Sequence, residues 1–248
     1  MAGGGTYPQG KKDYRGIGIV EVMWKVVAEL LNCRLTASIT YHDFLHGFRA
    51  GRGTGTTTLE AKLLQQLAAL REEVLYVILL DLHKAYDALD RFRCLDILKG
   101  YGVGPRARRI LQTYWRRLTM VVRSGEYYGT AFKGEHGVTQ GDPLYPTIFN
   151  VVLDAVVRHW ATGVIADAEE QGKMGKEGRH QSALFYADNG MVASSDPRWL
   201  QGDFNTMVGL FDRVGLQKNV GKTVGMVCHP SQAAGNLYEA AYGKRVTG

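Results

Sequence analysis

Two stretches dominate the pattern of apolar and polar positions along the chain, Tyr76–Asp90 (YVILLDLHKAYDALD) and Ala183–Ser194 (ALFYADNGMVAS). Each opens on a short run of Val, Ile, Leu, Tyr and Phe, the length and composition of a buried strand, and each run delivers an aspartate. The second stretch continues through Ala187-Asp188-Asn189-Gly190 into more apolar residues, which predicts a hairpin with Asn-Gly in the turn.

Most other segments carry helical spacing. Between Glu21 and Leu35, Val22, Met23, Val26, Val27, Leu30 and Leu31 recur at that spacing. Thr57-Thr58-Leu59-Glu60 is a capping-box pattern, and Leu59, Leu63, Leu67 and Leu70 behind it read as a core stripe. Asp90 is placed to cap the next helix, which stops at Gly100 or Gly102. Gly104-Pro105 opens a helix whose apolar stripe is Ala107, Ile110, Leu111, Tyr114, Trp115 and Leu118. Met120–Arg123 and Tyr127–Phe132 around Ser124-Gly125 predict a second hairpin. Pro143 and Pro146 suit the first turn of a long helix from Thr147 to about Trp160. Residues 167–180 are Gly-rich and charged and read as a mobile insertion. Asp196-Pro197 starts another helix that Gly215 ends, and Thr223–Cys228 is the last clear strand. The first ten residues are Gly-rich and flexible, and an apolar run, Ile17–Val20, follows Lys11, Lys12 and Arg15.

A chain of 248 residues with 45% hydrophobic and 22% charged residues buries a sizeable core in one or two domains. The net charge of +6 and pI near 9.2 favour an acidic partner, with nucleic acid first among candidates. Cys33, Cys94 and Cys228 stand far apart without a CxxC pair, which suits a reducing compartment and neither a disulfide framework nor a zinc site. No stretch has the apolar length of a membrane span, and the N-terminus lacks the apolar core of a signal peptide. The expectation is a soluble intracellular protein, cytoplasmic or nuclear, without a membrane partner.

Candidate chemistry follows from the strands. If the two lie side by side, Asp81 and Asp188 meet at one sheet edge, where converging carboxylates suit a hard divalent cation such as Mg2+ able to clamp nucleotide phosphates. Taken singly, either aspartate equally well caps a turn. The helix after Gly104 carries Arg106, Arg108, Arg109, Arg116 and Arg117, and no acid occurs between Asp96 and Glu126, which favours phosphate contacts over a merely solvated face. His42 and His46 have the spacing of a helical zinc pair but lack a third ligand, and the glycines and arginines of Gly47–Gly53 suit a loop lying against a polyanion. Gly221-Lys222-Thr223 fails as a phosphate-binding P-loop, because Leu216 holds the position of its first glycine and the stretch leaves a helix to enter a strand.

LDLHKAYDALDR, GVTQGDPLYPTIFN, FYADN and GLQKNVGKT, in that order, resemble the reverse transcriptases, nearest to the bacterial, group II intron and non-LTR retroelement types. The resemblance runs from about Lys11 to Cys228. It implies an α+β right-hand polymerase palm, an antiparallel ferredoxin-like sheet with helices on one face, plus partial fingers and no thumb. The implied organisation is a flexible start at 1–10, partial fingers over 11–75, palm over 76–228 and a tail over 229–248. By position, Asp81 and Asp188 resemble the metal-binding carboxylates, with the Leu82 carbonyl a further ligand for Mg2+ or Mn2+. Tyr86 resembles the aromatic that excludes a 2′-hydroxyl, and Gln140 and Gly141 the lining of the nucleotide pocket. Lys12 and Arg15 look like triphosphate-holding finger residues, and Lys222 like a general acid beside the leaving pyrophosphate. Gly47–Arg52, with Phe48, Arg49 and Arg52, resembles a template-gripping loop, and Arg109 and Arg116 are assigned to nucleic acid as well. The implied partners are an RNA or DNA template-primer and deoxynucleoside triphosphates.

Two residues depart from the family pattern: Asn189 stands where an aspartate is usual, and Tyr145 where a serine is usual. Asn189 is neutral and both donates and accepts hydrogen bonds, so impaired metal binding and catalysis are expected. The alternatives to an impaired polymerase are a nucleic-acid-binding remnant without turnover and a scaffold for another protein.

Overall fold

The computed structural model describes residues 18–134, 136–139, 141–170 and 181–230, apart from the side chains of 165–170 and 181. Along the first half run α1 (Val22–Ser38), α2 (Thr54–Leu70), β1 (Leu75–His83), α3 (Ala85–Ala88), α4 (Arg91–Gly100) and α5 (Pro105–Arg117). The short strands β2 (Thr119–Met120), β3 (Arg123–Ser124), β4 (Tyr127–Tyr128) and β5 (Phe132–Lys133) follow. Then come α6 (Tyr145–Glu170), β6 (Gln181–Tyr186), β7 (Asn189–Ser194), α7 (Pro197–Arg213), β8 (Gln217–Lys218) and β9 (Val224–Cys228).

The main sheet runs β6-β7-β1, with β9 paired along the first part of β1 and β8 along its end, every pair antiparallel. Alternation along β1 gives the sheet two unlike faces. Tyr76, Ile78, Leu80 and Leu82 enter the main core, where α6 contributes Phe149, Val152, Leu153 and Trp160 and α7 contributes Leu200, Phe204, Met207 and Phe211. Leu75, Val77 and Leu79 point the other way, into a small cluster with Met191, Ala193, Met226, Cys228 and Ala68 of α2. Asp81 continues that second series, so it emerges on the lightly covered face. The architecture is therefore α+β, with the principal helices on one face of an antiparallel sheet, as the resemblance implies.

The helix ends follow the sequence closely in three places. Asp90 accepts from the Phe92 and Arg93 N–H groups at the start of α4, and Asp196 from the Arg198 N–H at the start of α7. Gly215, with φ +83°, closes α7 against the Ala88 carbonyl, where a Cβ has no room. Other expectations need correction. The helix α2 starts at Thr54 rather than behind Thr57, because the Gly53 N–H donates to the Thr56 hydroxyl at 2.9 Å. Its leucine stripe is not core: Gln65 and Ala68 are its buried residues, while Leu59 is 57% and Leu70 82% exposed. The helix turns its small-residue side to the sheet, which leaves the leucines outward. The helix α1 likewise buries Ala28, Leu31 and Leu35 and leaves Val22, Met23, Val26 and Leu30 exposed. No strand forms over 18–20. The helix α6 begins two residues before Thr147 and continues through Glu170, taking in the first residues read as an insertion; 171–180 lie outside the described residues.

Three polar groups tie the layers together. Asp154, fully buried on α6, accepts from the His42 N–H (2.5 Å), the Tyr101 hydroxyl (2.5 Å) and Arg158 Nε (2.6 Å), and Arg158 reaches on to the Thr40 carbonyl (2.7 Å). Arg91, also buried, donates to the carbonyls of Gly137 (2.6 Å) and Gly134 and so holds the segment after β5 against α4. Asp142 accepts from the Trp24 indole N–H and the Leu144 N–H, joining α1 to the start of α6. Burial pushes the Asp142 carboxyl above its ordinary pKa, and the two hydrogen bonds only partly oppose the shift. The folded chain therefore holds this proton to higher pH than the unfolded chain, and stability falls as pH rises from the ordinary value of 3.8 through the raised one. Asp142→Asn removes the buried charge but keeps one acceptor oxygen for the two donors, so it loses a hydrogen bond at every pH and loses the pH-dependent penalty as well; its melting temperature relative to the wild type is expected to rise from pH 4 to pH 7.5. Thermal melts by circular dichroism at the two pH values check this, and a variant whose melting temperature relative to the wild type falls from pH 4 to pH 7.5 contradicts it.

Candidate active site

The site grows from the register of β1 and β7. Asp81 lies directly opposite Asn189, the first residue of β7, and Asp188 precedes it in the turn. The Leu82 N–H donates to the Asp188 carbonyl at 3.2 Å, so the backbone links the two aspartate positions across adjoining strands. An extended residue directs its N–H and C=O to the same strand edge, which puts the Leu82 carbonyl on the Asp188 side. Sequence reasoning thus anticipates the backbone juxtaposition of Asp81 and the turn that carries Asp188. It misplaces the turn, however. The two turn residues are Ala187 and Asp188, with Ala187 at φ +54°, and Asn189 and Gly190 already pair in the sheet. Gly190 is needed for packing: a Cβ there would come within 2.6 Å of the Phe185 ring.

The turn is clamped from outside. The segment Phe44–Gly47 lies parallel to β6, with the Phe185 N–H donating to the Phe44 carbonyl (2.7 Å) and the His46 N–H to the Phe185 carbonyl (2.8 Å). Gly47 presses on the Ala187 backbone where a side chain has no space, and buried Asn150 of α6 donates to the Gly47 carbonyl at 2.7 Å. The buried His46 ring faces Glu60 (3.2 Å) and the Thr56 hydroxyl, and burial lowers its pKa. Arg49 donates to the His42 and Leu45 carbonyls, and Arg52 to the Asp43 carbonyl and carboxylate. These two arginines brace the loop, and Phe48 faces outward from it at φ +53°.

Asp81 is held by the chain that follows α7. Asn219 donates from its side-chain amide to Asp81 Oδ2 (2.8 Å) and from its backbone to the Asp81 carbonyl (2.7 Å). Lys222 Nζ stands 3.9 Å from Asp81 Oδ1, in a turn closed by the Lys222 N–H to the Asn219 carbonyl. Asn219 was missed from sequence, although it lies inside GLQKNVGKT; β8 is only two residues long and carries no periodicity. The Asn189 amide is 3.4 Å from Asp188 Oδ1, a long contact. Asp81 and Asp188 are the two carboxylate residues that the backbone brings side by side here, and among the described residues no group of three or more His, Cys, Asp or Glu side chains could hold a metal ion. An oxygen-rich pair of this kind, with a backbone carbonyl beside it, fits a hard divalent cation.

On the neighbouring side, Tyr86 follows β1 and packs against Tyr145 and Phe149, with ring centroids 4.7 and 4.8 Å away. The bulky Tyr145 is therefore accommodated as one ring of a tilted aromatic cluster. Among the described residues its buried hydroxyl has no hydrogen-bond partner, and burial raises its pKa. The Val138 N–H donates to the Tyr86 carbonyl (2.9 Å) and the Gly137 N–H to that of Leu89 (2.9 Å), which brings the GVTQGDP segment beside Tyr86. Gly141, at φ +106°, lies against the Gly18 backbone, which leaves no room for a side chain. Lys12, Arg15 and Gln140 lie outside the described residues. Arg106, Arg109, Arg116 and Arg117 are exposed on α5, and Arg106 and Arg109 line an open groove of about 600 Å³ with Trp24 and Tyr114, whose rings stack at 3.5 Å.

Residues 7–239 match the family described as reverse transcriptase (RNA-dependent DNA polymerase). The chain belongs to that family. Similar curated reverse transcriptase relatives include the retrovirus-related Pol polyprotein from type-2 retrotransposable element R2DM of Drosophila melanogaster, 26% identical over 223 residues and 89% of this chain. The Pol polyprotein from type-1 retrotransposable element R2 of Nasonia vitripennis is 29% identical over 173 residues and 67% of this chain. The chain spans 20% and 15% of the length of these two relatives. Among solved structures, apo telomerase from Candida tropicalis truncated from its C-terminal domain superposes on 83% of this chain and 40% of its own, with a TM-score of 0.59 at 17% identity. Telomerase from the same organism in complex with a TWJ fragment of telomeric RNA covers 82% of this chain and 33% of its own, with a TM-score of 0.57 at 16% identity. These likenesses show that the reverse transcriptase fold extends over most of the chain. No helix among the described residues is long and apolar enough to cross a membrane.

Proposed function

We propose that this chain is the palm-containing part of a retroelement polymerase that adds deoxynucleotides to a primer 3′-hydroxyl along an RNA or DNA template. The observation that carries the reading is the backbone juxtaposition of Asp81, near the end of β1, and Asp188, in the turn between β6 and β7, where the Leu82 N–H donates to the Asp188 carbonyl. Asp81, Asp188 and the Leu82 carbonyl would hold Mg2+ or Mn2+, which when bound supplies positive charge to the attacking hydroxyl and the leaving pyrophosphate. Asn219 orients the Asp81 carboxylate through its amide. Lys222 is near enough to Asp81 to stay at the site and donate a proton to the leaving group. Tyr86, backed by Tyr145 and Phe149, is a stiff wall against the sugar, and it disfavours a 2′-hydroxyl. Gln140 and Gly141 line the same pocket, and Lys12 and Arg15 hold the triphosphate. The nucleic acid lies along Phe48 and the arginine face of α5, including Arg109 and Arg116, with Arg49 and Arg52 fixing the loop that presents Phe48.

One observation favours a second reading. The position opposite Asp81 carries Asn189, so the site has two acidic donors, which suits a nucleic-acid-binding remnant without turnover. Primer extension on a poly-rA template with oligo-dT, dTTP and Mg2+ separates the two readings when Asn189→Asp is run alongside. Incorporation by the variant supports the polymerase, whereas no incorporation by either protein contradicts it and leaves the remnant.

A further inference from the structure

Immediately after the arginine helix α5 the chain projects a narrow hairpin. Its base is the β2–β5 pair, Thr119 opposite Lys133 and Met120 opposite Phe132, and its tip is the β3–β4 pair, Arg123 opposite Tyr128 and Ser124 opposite Tyr127. Gly125, at φ +61°, makes the turn. The base is anchored by Arg91, whose guanidinium reaches the Gly134 and Gly137 carbonyls, so the hairpin is an extension of the segment that runs past Tyr86. The tip, by contrast, is exposed among the described residues: Tyr127 is 84% and Tyr128 68% exposed, and Val121, Val122 and Phe132 are exposed below them. So much aromatic surface left in water marks an interaction site.

Its charge says what kind. Between residues 97 and 134 the chain carries eight basic residues (Lys99, Arg106, Arg108, Arg109, Arg116, Arg117, Arg123 and Lys133) and one acid, Glu126. Arg106, Arg109, Arg116 and Arg117 share the exposed face of α5, and Arg123 sits over the Tyr128 ring at 5.5 Å from its centroid. Rings interleaved with guanidinium groups are what an unpaired nucleic-acid strand needs, a π-face for each base and a cation for each phosphate. Adjacent strand residues point to opposite faces, so Tyr127 and Tyr128 offer one ring on each side of the tip.

We propose that the Thr119–Lys133 hairpin is a stacking arm for single-stranded nucleic acid, in which Tyr127 and Tyr128 take unstacked bases while the α5 arginines hold the backbone. The inference rests on the nucleic-acid contact assigned above to α5, and it does not require turnover. The test is fluorescence anisotropy with labelled twelve-nucleotide rU and dT strands, an abasic strand of equal length and a blunt duplex. Relative to the wild type, a Tyr127→Ala/Tyr128→Ala variant is expected to bind both base-bearing strands about 10-fold or more weakly, since stacking is worth roughly 1–3 kcal/mol per base. Tyr127→Phe/Tyr128→Phe keeps wild-type affinity, the abasic strand binds wild type and alanine variant alike, and the salt slope is unchanged because no charge is removed. Equal losses in the Phe and Ala variants, unchanged affinity of the Ala variant, or a duplex bound as tightly as the single strands would overturn the stacking arm. Arg109→Glu/Arg116→Glu tests the underlying reading separately. If that variant also binds like the wild type, the α5 contact fails, whereas its weakening beside an unaffected Ala variant overturns the arm alone.

Discussion

Asn189→Asp is expected to raise the rate of dTTP incorporation on poly-rA by about 10²- to 10⁴-fold, the scale on which several kcal/mol of metal stabilisation acts. The reason is geometric. Leu82 hydrogen-bonds to the Asp188 position and Asp81 to Asn219 on its other side, so Asp81 and Asn189 form the non-hydrogen-bonded pair of the antiparallel ladder. Side chains of such a pair share a face with Cβ atoms roughly 4.5–5.5 Å apart. A carboxylate at 189 would therefore join Asp81 and Asp188 as a third acidic donor. Without a cation the added charge repels its neighbours, and the variant should lose about 0.2–1 kcal/mol of stability, the range for cross-strand pairs. Mg2+ should restore the loss in a thermal melt, so the variant's melting temperature becomes more metal-dependent than that of the wild type. A variant with unchanged incorporation and a melt indifferent to Mg2+ would show that the residue at 189 does not face the cation.

The largest expected effect on stability belongs to Asp154. Asp154→Ala removes the acceptor for the His42 N–H, the Tyr101 hydroxyl and Arg158 at once. Hydrogen bonds to a charged group are worth about 1.5–3 kcal/mol each; since Arg158 is partly exposed and rehydrates, a net loss of about 2–4 kcal/mol is expected. For a domain of this size that lowers the melting temperature by roughly 5–15 °C in calorimetry. Asp154→Asn, which keeps one acceptor oxygen, should lose less. Loss should also loosen the stretch from Thr40 to Gly47 that clamps the Tyr186–Asn189 turn, because His42 and Thr40 are its anchors to α6. A melt within 2 °C of wild type for the alanine variant would contradict this ranking.

The parts of the fold legible in the sequence were those written in long apolar runs or strong caps. β1 and the β6–β7 pair were readable because a buried strand needs continuous Val, Ile, Leu and Phe, and the caps at Asp90, Asp196 and Gly215 because each answers a local backbone need. The turn was misplaced because Asn-Gly is a strong local signal, whereas the space that demands Gly190 is made by Phe185, which no local pattern reveals. The leucines of α2 were misread for a related reason: periodicity shows that a helix has an apolar side, and tertiary packing decided that Gln65 and Ala68 should face the sheet. Asp154 and Arg91 drew no notice from sequence; Asp154 lies among core-facing Val152, Leu153, Val156 and Val157, and that placement was the signal that it needed partners, whereas Arg91 stands between half-buried Asp90 and exposed Phe92 and offered no such signal. Asp81 and Asp188 were legible as a pair. Asn219, which orients one of them, lies just after a two-residue strand, where no pattern marks it.

The central claim is that Asp81 and Asp188 share one divalent cation. Mn2+ titration followed by electron paramagnetic resonance, with wild type, Asp81→Asn, Asp188→Asn and the double variant each in the presence of primer-template and dTTP, tests it most directly. The expected result is a bound Mn2+ in the wild type, displaced by excess Mg2+, with binding weakened at least 10-fold by either substitution and no further by both together. Two substitutions that weaken Mn2+ binding additively and independently, or that leave it unchanged, would contradict a shared site.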